Sequence, residues 1–282
     1  ALLLVARLPV AVVQKRHLDT TLVAGSVGQV MSNPQLMRLN FGIFALHLMM
    51  TALFVAAPKA LVNQFDFDPQ YHGYFYLAVI FLAFIFMIPL IIIGEKNRQL
   101  ARVFRLAVLM LTLSLLLEIW ATANFVLFTV LLFFFFVAFN YLEATLPSLV
   151  SKVASAGLRG TAMGLYSSAQ FFGAFLGGSL GGLVYAQGGL SWVYGICAVV
   201  GGIWCLVNLR MPEPPYTTSL VLSLRAFDSS QAGRISAELS SISGVRDVTL
   251  VLEEHLAYLK VDRKQLNQDT LFNHPLAVDS DA

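Results

Sequence analysis

The chain is 282 residues long, 57% of them hydrophobic and only 12% charged. That is about half the charged share of a soluble domain, so an ordinary soluble enzyme and a disordered protein are both excluded. Residues 1–210 carry twelve basic and six acidic side chains and residues 211–282 six basic and ten acidic, so a basic, apolar segment is joined to a small acidic one.

The chain opens on an apolar stub, Ala1–Val5, followed by Arg7, Leu8 and Pro9. A signal peptide has its basic residues before the apolar run, not after it. The stub therefore reads as the cytoplasmic end of a preceding helix in a longer chain, with residues 1–36 forming that end and a linker. Six stretches follow, at about 39–58, 73–93, 104–122, 125–146, 161–186 and 190–209. Each supplies the roughly 20 apolar residues that a helix needs to cross a bilayer core. None alternates as a barrel strand does, and backbone groups in lipid must be satisfied within the segment. The fold class is therefore an all-α polytopic bundle over residues 37–210.

The breaks between spans alternate in charge. Arg7, Lys15, Arg16 and Arg38, then Lys96, Arg98, Arg102 and Arg105, then Lys152 and Arg159, and finally Arg210 fall on one side; the other has only Lys59. The positive-inside rule makes the loaded side cytoplasmic, and the acidic tail with it. Cys197 and Cys205 lie eight residues apart in one helix, about 12 Å. That is too far for a disulfide, so they read as small apolar packing residues.

Residues 211–215 (Met-Pro-Glu-Pro-Pro) end the last span and stiffen the exit. A small domain, 216–274, follows. Leu220, Leu222 and Leu224 alternate as a strand, and Ala232, Ile235, Leu239 and Ile242 recur at helical spacing after a cap at Ser229 or Ser230. Val248, Leu250 and Leu252 make a second strand. Glu253 and Glu254 turn the chain into a third, through Ala257, Leu259 and Val261, and a helical turn is predicted at about 263–271. This βαββα order suggests a small α+β, ferredoxin-like split βαβ, before an acidic tail at 275–282. The domain has no CxxC and no Gly-rich phosphate loop, so no metal or cofactor is expected, and its acidity argues against nucleic acid.

Three runs carry a family resemblance. Thr145-Leu146-Pro147-Ser148-Leu149-Val150-Ser151-Lys152 resembles the end of the tenth helix of major facilitator superfamily transporters. Arg159-Gly160-Thr161-Ala162-Met163-Gly164-Leu165-Tyr166-Ser167-Ser168 resembles their loop into the eleventh. Gly94-Glu95-Lys96-Asn97-Arg98 is similar to the second copy of the family's glycine-acid-base motif, departing from it at Asn97 and Gln99. The resemblance implies that the six spans are helices seven to twelve of an inner-membrane, proton-driven antiporter of the efflux type. The other six-helix half of the same transporter, the bilayer and a small-molecule substrate are then its partners.

Ionisable groups inside a span cost about 2.5–3.5 kcal/mol even on the lenient scale, so each one asks for a role. Glu143 shares a helix face with Asn140 one turn before it and Pro147 one turn after it. A carboxyl in low dielectric can load and release a proton near neutral pH; the alternative is a carboxylate snorkelling to the interface. His47 has Asn40 and Thr51 on its face and titrates near physiological pH; the alternative is bonding to a neighbouring helix. A His47–Glu143 relay is the resulting hypothesis. Tyr166 and Gln170 offer hydrogen bonds to a substrate or to neighbouring helices. Glu118, just before the belt residue Trp120, reads as a structural group, and the resemblance implies that its helix lies on the outside of the bundle. Gly173, Gly177 and Gly181, spaced by four, let another helix approach closely. Gly94, Glu95, Arg98 and Arg102 form the cytoplasmic loop and conformational-switch candidate; Arg98, Arg102 and Arg105 read as topology determinants and anionic-lipid contacts or as a charge latch that breaks and re-forms as the cavity alternates. No Ser-His-Asp set, HExxH or acidic metal cluster is present at a cytoplasmic helix end, which argues against an enzyme. A membrane-anchored sensor with a ligand-binding tail is the competing class.

Overall fold

The computed structural model describes residues 26–214, 216–252, 255–262, 264–267, 270–271 and 275. The apolar stub with Arg7, Lys15 and Arg16, the Glu253–Glu254 turn, part of the 263–271 turn and residues 276–282 lie outside the described residues.

A short helix, α1 (Ser26–Ser32), leads into α2 (Pro34–Phe65). Asn33 starts α2 because its Oδ1 accepts from the Gln35 and Leu36 amides at 2.9 and 3.2 Å, with Pro34 at the first helical position. Asp66, in the left-handed region at φ 49°, closes it. A 3-10 turn, Pro69–Tyr71, enters α3 (His72–Lys96), followed by α4 (Leu100–Glu118) and α5 (Phe125–Val153). Asn124 caps α5 by accepting from Leu127 N at 3.0 Å. Pro58, Pro89 and Pro147 all lie inside helices, a position that membrane helices tolerate. α2 and α5 run on past the ends expected from hydropathy.

The element α6 (Arg159–Asn208) covers both of the last two predicted spans in 50 residues. Among the described residues, five helices are thus long and apolar enough to cross a membrane, rather than six. Gly189, at φ 68° and ψ −159°, breaks α6, in a region open essentially to glycine alone. The contacts on either side run in opposite directions. Gly173 lies on Phe44, Gly177 on Leu48 and Thr51, and Gly181 on Ala52. Tyr185 meets Lys59, whose Nζ is 3.6 Å from its ring centroid, and Asn63 at 3.4 Å. This leg runs parallel to α2. Beyond Gly189 the order inverts: Trp204 packs on Gly42, and Val207 O accepts from Arg38 Nε at 3.0 Å. The backbone reverses at Gly188–Gly189, with the Trp192 ring against Gly188.

In α4, Phe104, Val108, Leu111, Leu115 and Glu118 are all buried and recur at heptad spacing. Glu118 is 2% exposed, because it continues the buried stripe of its helix beside the exposed Trp120.

The tail folds as β1 (Thr218–Ser223), α7 (Ser229–Ser241), β2 (Val245–Val251) and β3 (Leu256–Val261). The sheet order is β1-β3-β2, with β3 antiparallel to both neighbours and Leu259 opposite Leu220 and Val248. Asp228, not Ser229 or Ser230, caps α7, through a capping box with Gln231. Ile235 and Leu239 seat α7 on Leu222, Ala257 and Leu259.

Candidate functional site

Three helices bring one polar group together inside the bundle. His47 comes from α2, Glu143 from α5 and Gln170 from the first leg of α6. Gln170 Nε2 lies 2.8 Å from His47 Nε2 and 3.4 Å from Glu143 Oε1, and His47 Nε2 is 3.8 Å from Glu143 Oε2. An amide nitrogen only donates, so His47 Nε2 accepts and the imidazole in this arrangement is neutral with its proton on Nδ1. His47 is 8% exposed, and the Phe139 ring centroid lies 6.0 Å from its own. His47 Nδ1, Glu143 Oε2, Asn140 Nδ2 and the Tyr166 hydroxyl are buried and have no hydrogen-bond partner among the described residues. The cluster therefore holds open donors and acceptors around one titratable pair. That is what a site for a proton, a water or a polar substrate group requires.

The other residues singled out in the sequence fall elsewhere. Asn40 is buried, its Nδ2 4.0 Å from Met37 Sδ. Thr51 donates within α2 to His47 O and across to Ala174 O, at 2.8 and 3.0 Å. It lies at the close α2–α6 approach that Gly173, Gly177 and Gly181 permit.

A second network ties the bundle to the βαββ module. Arg98, at φ 52° in the turn between α3 and α4, donates to both Asp262 oxygens at 3.1 and 2.7 Å, a bidentate pair. The guanidinium holds the Asp262 carboxyl below the usual aspartate range. Its neighbour Glu95 pairs with Lys152 at 2.5 Å, and Gly94 leaves room for the Tyr141 hydroxyl. Arg102 donates to Gln99 Oε1, at 3.4 Å. Lys260 of β3 donates to the carbonyls of Ser151, Lys152 and Ala154, placing a cation on the C-terminal end of α5. The opposite charge meets the opposite pole at α4, which has no side-chain cap of its own. There Glu213 Oε2 accepts from Ala101 N at 3.2 Å, and the Tyr216 hydroxyl accepts from Leu100 N at 3.0 Å. Burial pushes that hydroxyl up to about 12. Single-sequence reading missed Glu213, Tyr216, Lys260 and Asp262. The one signal for them was the uncapped start of α4 after Gln99.

Comparison with known proteins places these features. The model of the Major Facilitator Superfamily matches residues 2–178 and 39–226. The inner membrane transport protein YajR of Escherichia coli (strain K12) is 37% identical over 250 residues, 89% of this chain and 55% of the relative. An uncharacterized transporter of Buchnera aphidicola subsp. Baizongia pistaciae is 26% identical over 64% of the chain and 46% of its own length. Another from Buchnera aphidicola subsp. Acyrthosiphon pisum, BU466, is 30% identical over 51% of the chain and 37% of its own length. The chain spans about half the length of these relatives or less.

Proposed function

Because the chain belongs to the Major Facilitator Superfamily, we propose that it is the C-terminal half of a proton-coupled inner-membrane transporter of the antiport, efflux type. The two legs of α6 count as separate spans on this reading, giving six. The basic loops and the ferredoxin-like module face the cytoplasm. Another six-helix half of the same transporter completes a cavity for a small-molecule substrate, since transporters built from repeats place the site at the interface between halves.

The observation that carries the reading is the His47–Gln170–Glu143 cluster. Ionisable groups inside a membrane are costly and are kept where protons or ions move. Glu143 takes up and releases the proton, while Gln170 orients its carboxylate and selects the His47 tautomer. Asn140 and Tyr166 supply hydrogen bonds at the same depth. The module acts as an accessory or regulatory domain by capping α4 and α5, and α5 is the helix that carries Glu143.

The test uses the full-length transporter in proteoliposomes. Glu143→Gln should fold, bind at the bilayer as before and lose substrate flux driven by a pH gradient. Undiminished pH-driven flux in Glu143→Gln would overturn the assignment.

A further inference from the structure

A second buried polar cluster lies away from this site. Both carboxyl oxygens of Glu118 on α4, the Tyr194 hydroxyl on the second leg of α6 and the Tyr76 hydroxyl on α3 are buried without a hydrogen-bond partner among the described residues. Glu118 is 2% exposed and Tyr194 1%. Tyr194 lies within electrostatic reach of Glu118, Tyr76 and Cys197. The register agrees: Thr112 meets Gly201 and Cys205, and the antiparallel course of α4 and the second leg of α6 then carries Glu118 toward Tyr194.

The ring of Tyr76 lies 5.6 Å from that of Phe54, two turns beyond His47 along α2, or about 10 Å. Rings fill the interval: Phe54 on Phe136 at 6.0 Å, Phe136 on Phe139 at 6.4 Å, and Phe139 on His47. The two polar clusters are thus separated by an aromatic plug. Glu118 is the last residue of α4 and the 3-10 turn Ala121–Ala123 follows, so the helical span ends at this carboxyl.

Glu118 has no hydrogen-bond partner among the described residues. Tyr194 from α6 is within electrostatic reach of it and also of Tyr76 and Cys197, and a further titratable group on α3 is His72, whose ring lies 6.4 Å from that of Tyr76 and whose Nε2 is 3.3 Å from Phe67 O. The stretch of α5 from Phe125 to Phe139 and the 3-10 turn Ala121–Ala123 contain no ionisable side chain, and Lys59 is occupied over the Tyr185 ring. A charged carboxylate in dry packing with no partner is strongly disfavoured, whereas a neutral carboxyl can donate to a tyrosine oxygen. One carboxyl with two phenols is also a poor cage for a metal ion, and no cluster of three His, Cys, Asp or Glu occurs among the described residues.

We infer that Glu118, with Tyr194 and Tyr76, is a second proton-binding site, on the far side of the aromatic plug from His47, Gln170 and Glu143. The proton is held at the Glu118 carboxyl and exchanges through the end of α4. Its loss leaves a charge that the α3–α4–α6 packing cannot hold dry. The inference rests on the membrane reading above but not on proton coupling at Glu143.

Infrared spectroscopy of the full-length transporter in liposomes tests it. The wild type should show a protonated-carboxyl C=O band at neutral pH that disappears in Glu118→Gln, an isostere of the neutral acid, and persists in Glu143→Gln. Tyr194→Phe should keep the band and shift its frequency, because a polar hydroxyl within electrostatic reach of the carboxyl is removed; this arm holds if Glu118→Gln fails to fold. A neutral-pH band unchanged in both Glu118→Gln and Tyr194→Phe, or no such band in the wild type, would overturn the site. These bands need no transport, so they read Glu118 separately from the fate of the Glu143 assignment.

Discussion

Gln170 is the residue on which the polar cluster turns. One amide spans an imidazole and a carboxylate from two other helices, at 2.8 and 3.4 Å. Replacing it by Leu removes the donor and leaves the buried His47 and the half-buried Glu143 facing each other without a bridge, at a cost of about 1 kcal/mol. Gln170→Leu should lower the melting temperature of the full-length protein in detergent and shift the pH profile of its flux. A profile identical to wild type would show that the amide does not tune the pair. The sequence identified His47, Glu143 and Gln170 as polar residues in spans, because charge in an apolar run is conspicuous. Their meeting was not legible, since the three lie 96 and 27 positions apart along the chain and only helix packing brings them together.

Elements are joined here by what glycine lacks. A side chain at Gly177 would strike Leu48 O and the Thr51 hydroxyl, whereas one at Gly178 would meet open space. Gly177→Val should therefore cost about 1–3 kcal/mol or more by overpacking, and Gly178→Val should be nearly silent. Thermal unfolding of the two variants side by side checks the pair. Gly189→Ala strains the reversal in α6 by about 1–3 kcal/mol and should lower the same transition. The spacing of Gly173, Gly177 and Gly181 made the close face readable in advance. The turn at Gly188–Gly189 was readable only as a gap between two apolar stretches, because glycine in a membrane helix is as often a packing residue as a break.

At the scale of the molecule, the module and the bundle are held by charge. Asp262 has its carboxyl lowered in the folded protein by Arg98. Its contribution to docking is complete above the free aspartate value of about 3.9 and is lost as pH falls through the lowered value. Arg98 stays charged throughout. Spin labels on the module and on α4 should show one narrow distance distribution at neutral pH and a broad one in strong acid. Asp262→Asn should broaden it at neutral pH already; an unchanged distribution would show that the Lys260 and Glu213 caps suffice alone.

The apolar helices, the charge asymmetry of the loops between them, the three strands and the likeness to the family were all legible in the residues alone. These follow from local quantities: hydropathy summed over some twenty residues, alternation over six, and charge at the breaks. Packing alone reveals that α6 doubles back, that Glu118 is buried, that Gln170 bridges His47 and Glu143, and that Lys260 and Glu213 cap helices of the bundle. Each depends on which helix lies against which. A single chain of letters carries the faces of its helices, but it does not carry the pairing of those faces.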